Sequence, residues 1–191
     1  MQIDDDYLSL SEEDIVEDDM LKDLAKYREL ASGGLDTYEP KVAELSREIG
    51  VKYHESDYYK TSEKYWLEAL DNYRRCYQRD PDTYEADLAM ILFLLGGQCQ
   101  MTKRYTKCGK YYFESLGIWK RLSAKDPEKY AFFMTQIKDL LKTLHEETAN
   151  LSEEEKMRLE EEFLEKDEPM SKEDESDALF TDTFWNPSEE E

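Results

Sequence analysis

The sequence predicts an all-α protein, a short array of antiparallel helix pairs with about seven helices. Three observations predict it. First, a 46-residue register runs through the chain without slipping. Tyr27-Arg28-Glu29-Leu30 precedes Asp36-Thr37-Tyr38, Tyr73-Arg74-Arg75-Cys76 precedes Asp80-Pro81-Asp82-Thr83-Tyr84, and Trp119-Lys120-Arg121-Leu122 precedes Asp126-Pro127-Glu128-Lys129-Tyr130. A fixed period of this length is the mark of stacked supersecondary units. Second, apolar residues between these markers recur every three or four positions, as on a helix buried along one face. Third, Gly33-Gly34, Pro81, Pro127 and Pro169 stand at the ends of those stretches, while Gly96-Gly97 lies inside one and needs a packing reason.

Each element follows in order. Ile15, Leu21, Leu24, Ala25 and Leu30 predict a helix from Ser11 to about Ala31. Ser11 with Asp14 suits its N-terminal cap and first turn. Gly33-Gly34 closes it, because glycine takes a left-handed C-cap without steric cost. A second helix runs from about Thr37 to Glu55 with Val42, Leu45, Ile49 and Tyr53 inward, and His54-Glu55-Ser56-Asp57 turns the chain. A third runs from Tyr59 to Arg79 with Tyr65, Trp66, Ala69, Tyr73 and Cys76 inward. Asp80-Pro81 is an N-cap followed by proline at the first helical position. The fourth helix, Asp82 to Met101, is the most apolar and is expected at the centre of the core. The fifth, Tyr105 to Ala124, repeats the third. Asp126-Pro127 opens a sixth that ends near Ala149, and Asn150-Leu151-Ser152-Glu153 opens an acidic seventh that ends near Lys166. Four segments result: an acidic extension (1–11), the repeat domain (12–151), an acidic capping helix (152–166) and an acidic tail (167–191). The tail carries an apolar cluster at Ala178, Leu179, Phe180, Phe184 and Trp185.

Aligned at 46 residues, Ile49-Gly50 matches Leu95-Gly96, Ser62 matches Cys108, Trp66 matches Tyr112, and Ala69 matches Ser115. Glycine admits a neighbouring backbone, the small residues open a groove, and the aromatic fills it. In these residues the chain resembles the tetratricopeptide repeat family, over about residues 21–151. Its departures are a period longer than the family's usual one and a third unit in which Lys142 replaces the glycine. A terminal unit that loses its consensus is expected where a solenoid is capped.

The resemblance implies a right-handed solenoid that binds another protein or a peptide on its concave face. Family offsets imply Glu44, Arg47, Val51 and His54 as groove residues in the first unit, and Met90, Phe93, Gly97, Gln100 and Met101 in the second. In the degraded third unit they imply Gln136, Asp139, Thr143 and Glu146. A clamp for a terminal carboxylate needs basic residues where Phe93 and Asp139 stand. Methionine and phenylalanine suit an apolar helix or extended segment instead.

Charge sorts the remaining possibilities. The net charge of −22 lies wholly in the ends: nine acids and no base in residues 1–20, seventeen acids and four bases in 152–191. An acidic chain of this kind is not expected to bind nucleic-acid phosphates. A basic set, Lys103, Arg104, Lys107 and Lys110, is a candidate dock for acid, and the chain's own tail offers acid at Glu173, Asp174, Glu175 and Asp177. Three fates are open to the tail: it folds back over the array, apolar cluster on apolar groove; it hands its aromatic motif to another protein; or it caps the last helices. Cys76, Cys99 and Cys108 have neither CxxC nor zinc-ligand spacing, so buried thiols in a reducing, cytoplasmic setting are expected, with no metal and no cofactor. The longest apolar run, Leu88 to Leu95, is too short to span a bilayer. The only histidines, His54 and His145, have no nucleophile or metal motif around them, and no catalytic residue is expected. The function expected is protein–protein interaction, as adaptor, scaffold or chaperone. Two alternatives are an acidic inhibitor or antitoxin-like protein masking a basic partner, and a secretion chaperone.

Overall fold

The computed structural model describes residues 15–166. Ser11, Pro169, the acidic extension and the tail with its aromatic cluster lie outside the described residues. Among the described residues seven α-helices and one 3-10 turn follow one another: α1 Asp18–Ser32, the 3-10 turn Asp36–Tyr38, α2 Glu39–Glu55, α3 Tyr59–Arg79, α4 Pro81–Met101, α5 Tyr105–Lys125, α6 Pro127–Thr148 and α7 Glu153–Lys166. No strand occurs among the described residues.

The helix ends are written locally. Asp80 Oδ1 accepts the Thr83 amide at 3.3 Å, and 46 residues on Asp126 Oδ1 accepts the Lys129 amide at 3.1 Å, each ahead of an N1 proline. A side-chain cap followed by proline supplies an orphan donor with a partner and removes another donor. Before α7, Ser152 Oγ accepts the Glu155 amide at 3.2 Å while Glu155 accepts the Ser152 amide at 2.8 Å, a reciprocal capping box. The first helix differs from expectation. It begins at Asp18, and Ile15 and Val16 precede it. Val16 is 2% exposed and packs in a cluster with Leu24, Val42, Ile49 and Tyr53. The apolar spacing there comes from a non-helical segment plugged against α1 and α2, and Asp18 and Asp19 supply the acidic first turn.

The 46-residue register reappears as contacts. Gly50 meets the Trp66 indole and Gly96 meets the Tyr112 ring. Both turns that connect these helices place a non-glycine residue at positive φ, Asp57 at 64° and Lys103 at 62°, and each is followed by an amide bonded five residues back, Tyr58 to Tyr53 O and Arg104 to Cys99 O. Glu39 accepts from Arg75 and Arg79 between α2 and α3, and Glu85 from Arg121 and Lys125 between α4 and α5. Arg28 holds Glu68 at 2.6 Å and Arg74 holds Glu114 at 2.8 Å. The exposed Arg28–Glu68 and Arg74–Glu114 pairs contribute at most about 1 kcal/mol each, whereas Glu39 and Glu85 are buried. They fix which turn of one helix stands beside which turn of the next. α2 pairs antiparallel with α3 and α4 with α5, since partner numbers fall as helix numbers rise. The even helices also meet one another, as do the odd ones. The result is a helical repeat-like array in two layers.

The main core lies where predicted, on α4: Leu88, Ala89, Ile91, Leu92, Leu95 and Cys99, packed with Trp66, Tyr73, Tyr112, Trp119 and Ile137. The third unit breaks the pattern. α7 has Glu154, Arg158, Glu161 and Glu165 where α5 has Cys108, Tyr112, Ser115 and Trp119. Four charged positions cannot form the buried face of a pair. α7 accordingly makes no such pair with α6. It lies across the beginnings of α5 and α3, with the Phe163 ring 4.2 Å from the Arg104 guanidinium and Lys107 Nζ 3.2 Å from Glu160.

Candidate functional site

One face is shared by α2, α4 and α6, and it carries an open groove of about 650 Å³. Its apolar lining comes from Val51 on α2, Phe93, Leu94 and Met101 on α4, and Leu140 on α6, with the Trp66 and Tyr112 rings below. Met101 is 60% exposed, an unbranched thioether open to an incoming surface. Two polar bridges cross the floor. The Gln98 amide nitrogen donates to Tyr59 O at 2.8 Å, so its oxygen accepts from His54 Nδ1 at 3.1 Å. His54 therefore donates through Nδ1. The His54 ring lies 5.1 Å from Trp66 and 5.4 Å from Tyr59. On the other side the Tyr112 hydroxyl donates to Gln100 Oε1 at 3.1 Å, and Gln100 Nε2 donates to Glu147 at 3.2 Å. Glu55 and Glu147 are the acids on the lining.

Of the expected groove residues, Val51, His54, Phe93, Gly97, Gln100 and Met101 come together on this lining. Glu44, Arg47 and Met90 lie earlier on α2 and α4. Glu44 is bonded to Lys41 at 2.7 Å, Met90 packs against the core, and Arg47 is half-buried with its Nε unpartnered. Arg47 acts on its neighbours. Burial pushes the Asp87 carboxyl up and Arg47 opposes it, while burial takes the Tyr73 hydroxyl to about 12.

The third unit departs from the implied offsets. α6 presents Leu140 and Glu147 to the groove; Gln136, Asp139, Thr143 and Glu146 are not on its lining. Thr143 bonds back to Asp139 O, and Glu146 pairs with Lys142 on the exposed side. The register carries over in part: Leu140 and Glu147 take the places of Leu94 and Met101, while Lys142 replaces the glycine that seats a helix pair. The missed residues had a signal. Glu55 and Glu147 stand 46 residues either side of Met101, and Leu140 stands 46 after Leu94.

The basic dock is also redistributed. Arg104 is 1% exposed, bonded to both Glu63 oxygens at 2.6 and 2.8 Å and stacked on Phe163. Burial works against its charge, and Glu63 more than compensates, holding the guanidinium's affinity for its proton above the ordinary value. Lys107 is taken by Glu160. Acid does reach this cluster, from α7. Arg104 is thus a structural ion and not a surface dock, whereas Lys103 and Lys110 stay exposed. The three thiols are free and buried. No group of three potential ligands that could hold a metal exists among the described residues, and none of the described helices is long and apolar enough to cross a membrane.

Comparison of the chain with family models, with curated proteins and with solved structures gives no match.

Proposed function

We propose that this chain is a protein-interaction module, tetratricopeptide-like in type, that binds an apolar peptide or helix of another protein along α2, α4 and α6. The observation that carries the proposal is the groove itself, an apolar lining contributed by one helix of each unit, with Met101 projecting. Repeat-equivalent packing at Gly50–Trp66 and Gly96–Tyr112 supports the tetratricopeptide comparison. Glu55 and Glu147 on the lining disfavour an acidic ligand, and Phe93 leaves no clamp for a carboxylate. The role proposed is an adaptor, scaffold or chaperone acting in the cytoplasm, without catalysis.

The test uses Met101→Asp in the full chain. Met101 is exposed, so its loss leaves folding intact while a charge enters the groove. Partners captured by the wild type at about 0.5 M salt, where the screening length is only a few ångströms, should be lost by the variant. A second reading draws on the −22 net charge concentrated in the ends, an acidic inhibitor or antitoxin-like protein covering a basic partner. Partners that Met101→Asp retains and salt releases would favour it. A secretion chaperone is a special case of groove binding and would show the first pattern.

A further inference from the structure

We propose that the groove's resident ligand is the chain's own segment 179–185, bound in cis. This rests on the reading of the groove as an apolar-peptide site and names its occupant.

The described chain ends on α7, beside the starts of α3 and α5. Had α7 paired with α6, it would have followed the end of the array. Instead Phe163 sits on Arg104, with Lys60 Nζ 5.6 Å from the same ring, and Lys60 Nζ donates to Leu164 O at 2.7 Å. Lys60 directly follows Tyr59. The Tyr59 ring lies against His54 and its carbonyl holds Gln98, and both of those residues line the groove. α7 therefore ends beside the start of α3, one residue from Tyr59, which touches His54 and Gln98 of the groove. The contacts that bring it there, a cation–π stack, an ion pair and a backbone bond, are specific ones.

Residues 167–178 then lead to the apolar segment. Twelve residues reach up to about 40 Å when extended, more than the roughly 30 Å length of a 21-residue helix such as α4. Reach is not limiting, and a tether this short holds its cargo at an effective concentration of about millimolar. The cargo suits the site. Leu179, Phe180, Phe184 and Trp185 give four large apolar side chains in seven residues with one acid, Asp182. Phe180 and Phe184 are four apart, on one face if the segment is helical. The flanking acids, Glu173 to Asp177 and Glu189 to Glu191, would be repelled by Glu55 and Glu147, so the apolar stretch alone is the inserted part. Lys103 and Lys110, left exposed by α7, stand on the neighbouring elements to receive the acids before it. The segment acts as a built-in competitor: an outside partner binds only while the groove is vacated, and its apparent affinity falls by that fraction.

The test compares full-length wild type with the full-length variant Phe180→Ser/Phe184→Ser/Trp185→Ser. Amide exchange across 179–185 is followed in dilute wild type, and a labelled peptide of residues 176–188 is titrated into both proteins. Docking for nine-tenths of the time slows exchange by about tenfold and makes the peptide bind the variant about tenfold more tightly than wild type. Met101→Asp should abolish both effects. Exchange of 179–185 at the free-peptide rate in wild type overturns the proposal. Should the peptide still bind the variant in a Met101-dependent way, the groove reading survives alone. Protection that appears only as the protein dimerises overturns cis docking in favour of a second copy, which light scattering at the same concentrations would reveal.

Discussion

Adding one methyl group at Gly96 should destabilise the protein, although helix propensity argues the opposite. A Cβ built at Gly96 would stand 2.5 Å from Tyr112 Cδ1, 2.6 Å from Cε1 and 3.1 Å from Cγ. Carbon atoms rest about 3.5–4.0 Å apart, so the ring would have to retreat by about 1 Å. Its movement is resisted on two sides. Tyr112 is 1% exposed, its hydroxyl is tied to Gln100 at 3.1 Å, and Phe93 lies across it at 6.2 Å between ring centres. The strain must instead part α4 from α5. Overpacking of a tight core costs about 1–3 kcal/mol and occasionally more, and this contact belongs at the upper end. Exchanging glycine for alanine within a helix returns about 1 kcal/mol. The expected net loss for Gly96→Ala is about 2 kcal/mol, a fall in melting temperature of roughly 4–8 °C for a chain of this size. Urea unfolding followed by circular dichroism measures it. Gly117→Ala is the control. It lies within α5, and an added Cβ there meets nothing within 4 Å. It should gain about 0.5–1 kcal/mol. In a Tyr112→Leu background the penalty at Gly96 should shrink, because the three nearest atoms to the added methyl all belong to that ring. If Gly96→Ala melts at or above wild type, the close-approach argument is wrong.

Two further outcomes are expected. Glu63→Ala should cost about 3–5 kcal/mol, since it strands the buried Arg104 guanidinium without its counter-ion; a loss under about 1 kcal/mol in urea would show that Phe163 and the Thr102 hydroxyl, which accepts from Arg104 Nε at 3.1 Å, suffice. Cys76, Cys99 and Cys108 should resist a thiol reagent in the native protein at neutral pH and all react in denaturant, and fast native labelling would contradict their burial. Burial takes the Cys99 thiol from 9.0 to about 12, so the folded state keeps that proton longer than the unfolded one. Stability should therefore fall as pH climbs from about 9 towards 12, and Cys99→Ala should flatten part of that decline.

What the sequence by itself determined is whatever depends on near neighbours or on repetition. Pro81 and Pro127 with their aspartates, Gly33-Gly34 and Ser152 mark helix ends through chemistry confined to a few residues, and α3 runs from Tyr59 to Arg79 as its pattern predicts. The pairing of α2 with α3 and of α4 with α5 was legible too, because a close helix crossing leaves a glycine on one helix and an aromatic at a fixed distance on the other. Repetition failed as a guide where its physical basis stopped. Lys142 and the charged face of α7 announce that the third unit cannot pair; Leu140 and Glu147 keep the 46-residue spacing, yet nothing in the sequence says that they reach the groove while Gln136, Asp139, Thr143 and Glu146 do not. Nor could Arg104 be told from its exposed neighbours in a run of basic residues. Its partner Glu63 lies 41 positions away, and its cover, Phe163, comes from a helix whose own pattern points nowhere. Only the tertiary structure decided those matters. Burial of a charge and the resting place of an unpaired helix are settled by contacts distant in sequence, and no local pattern records them.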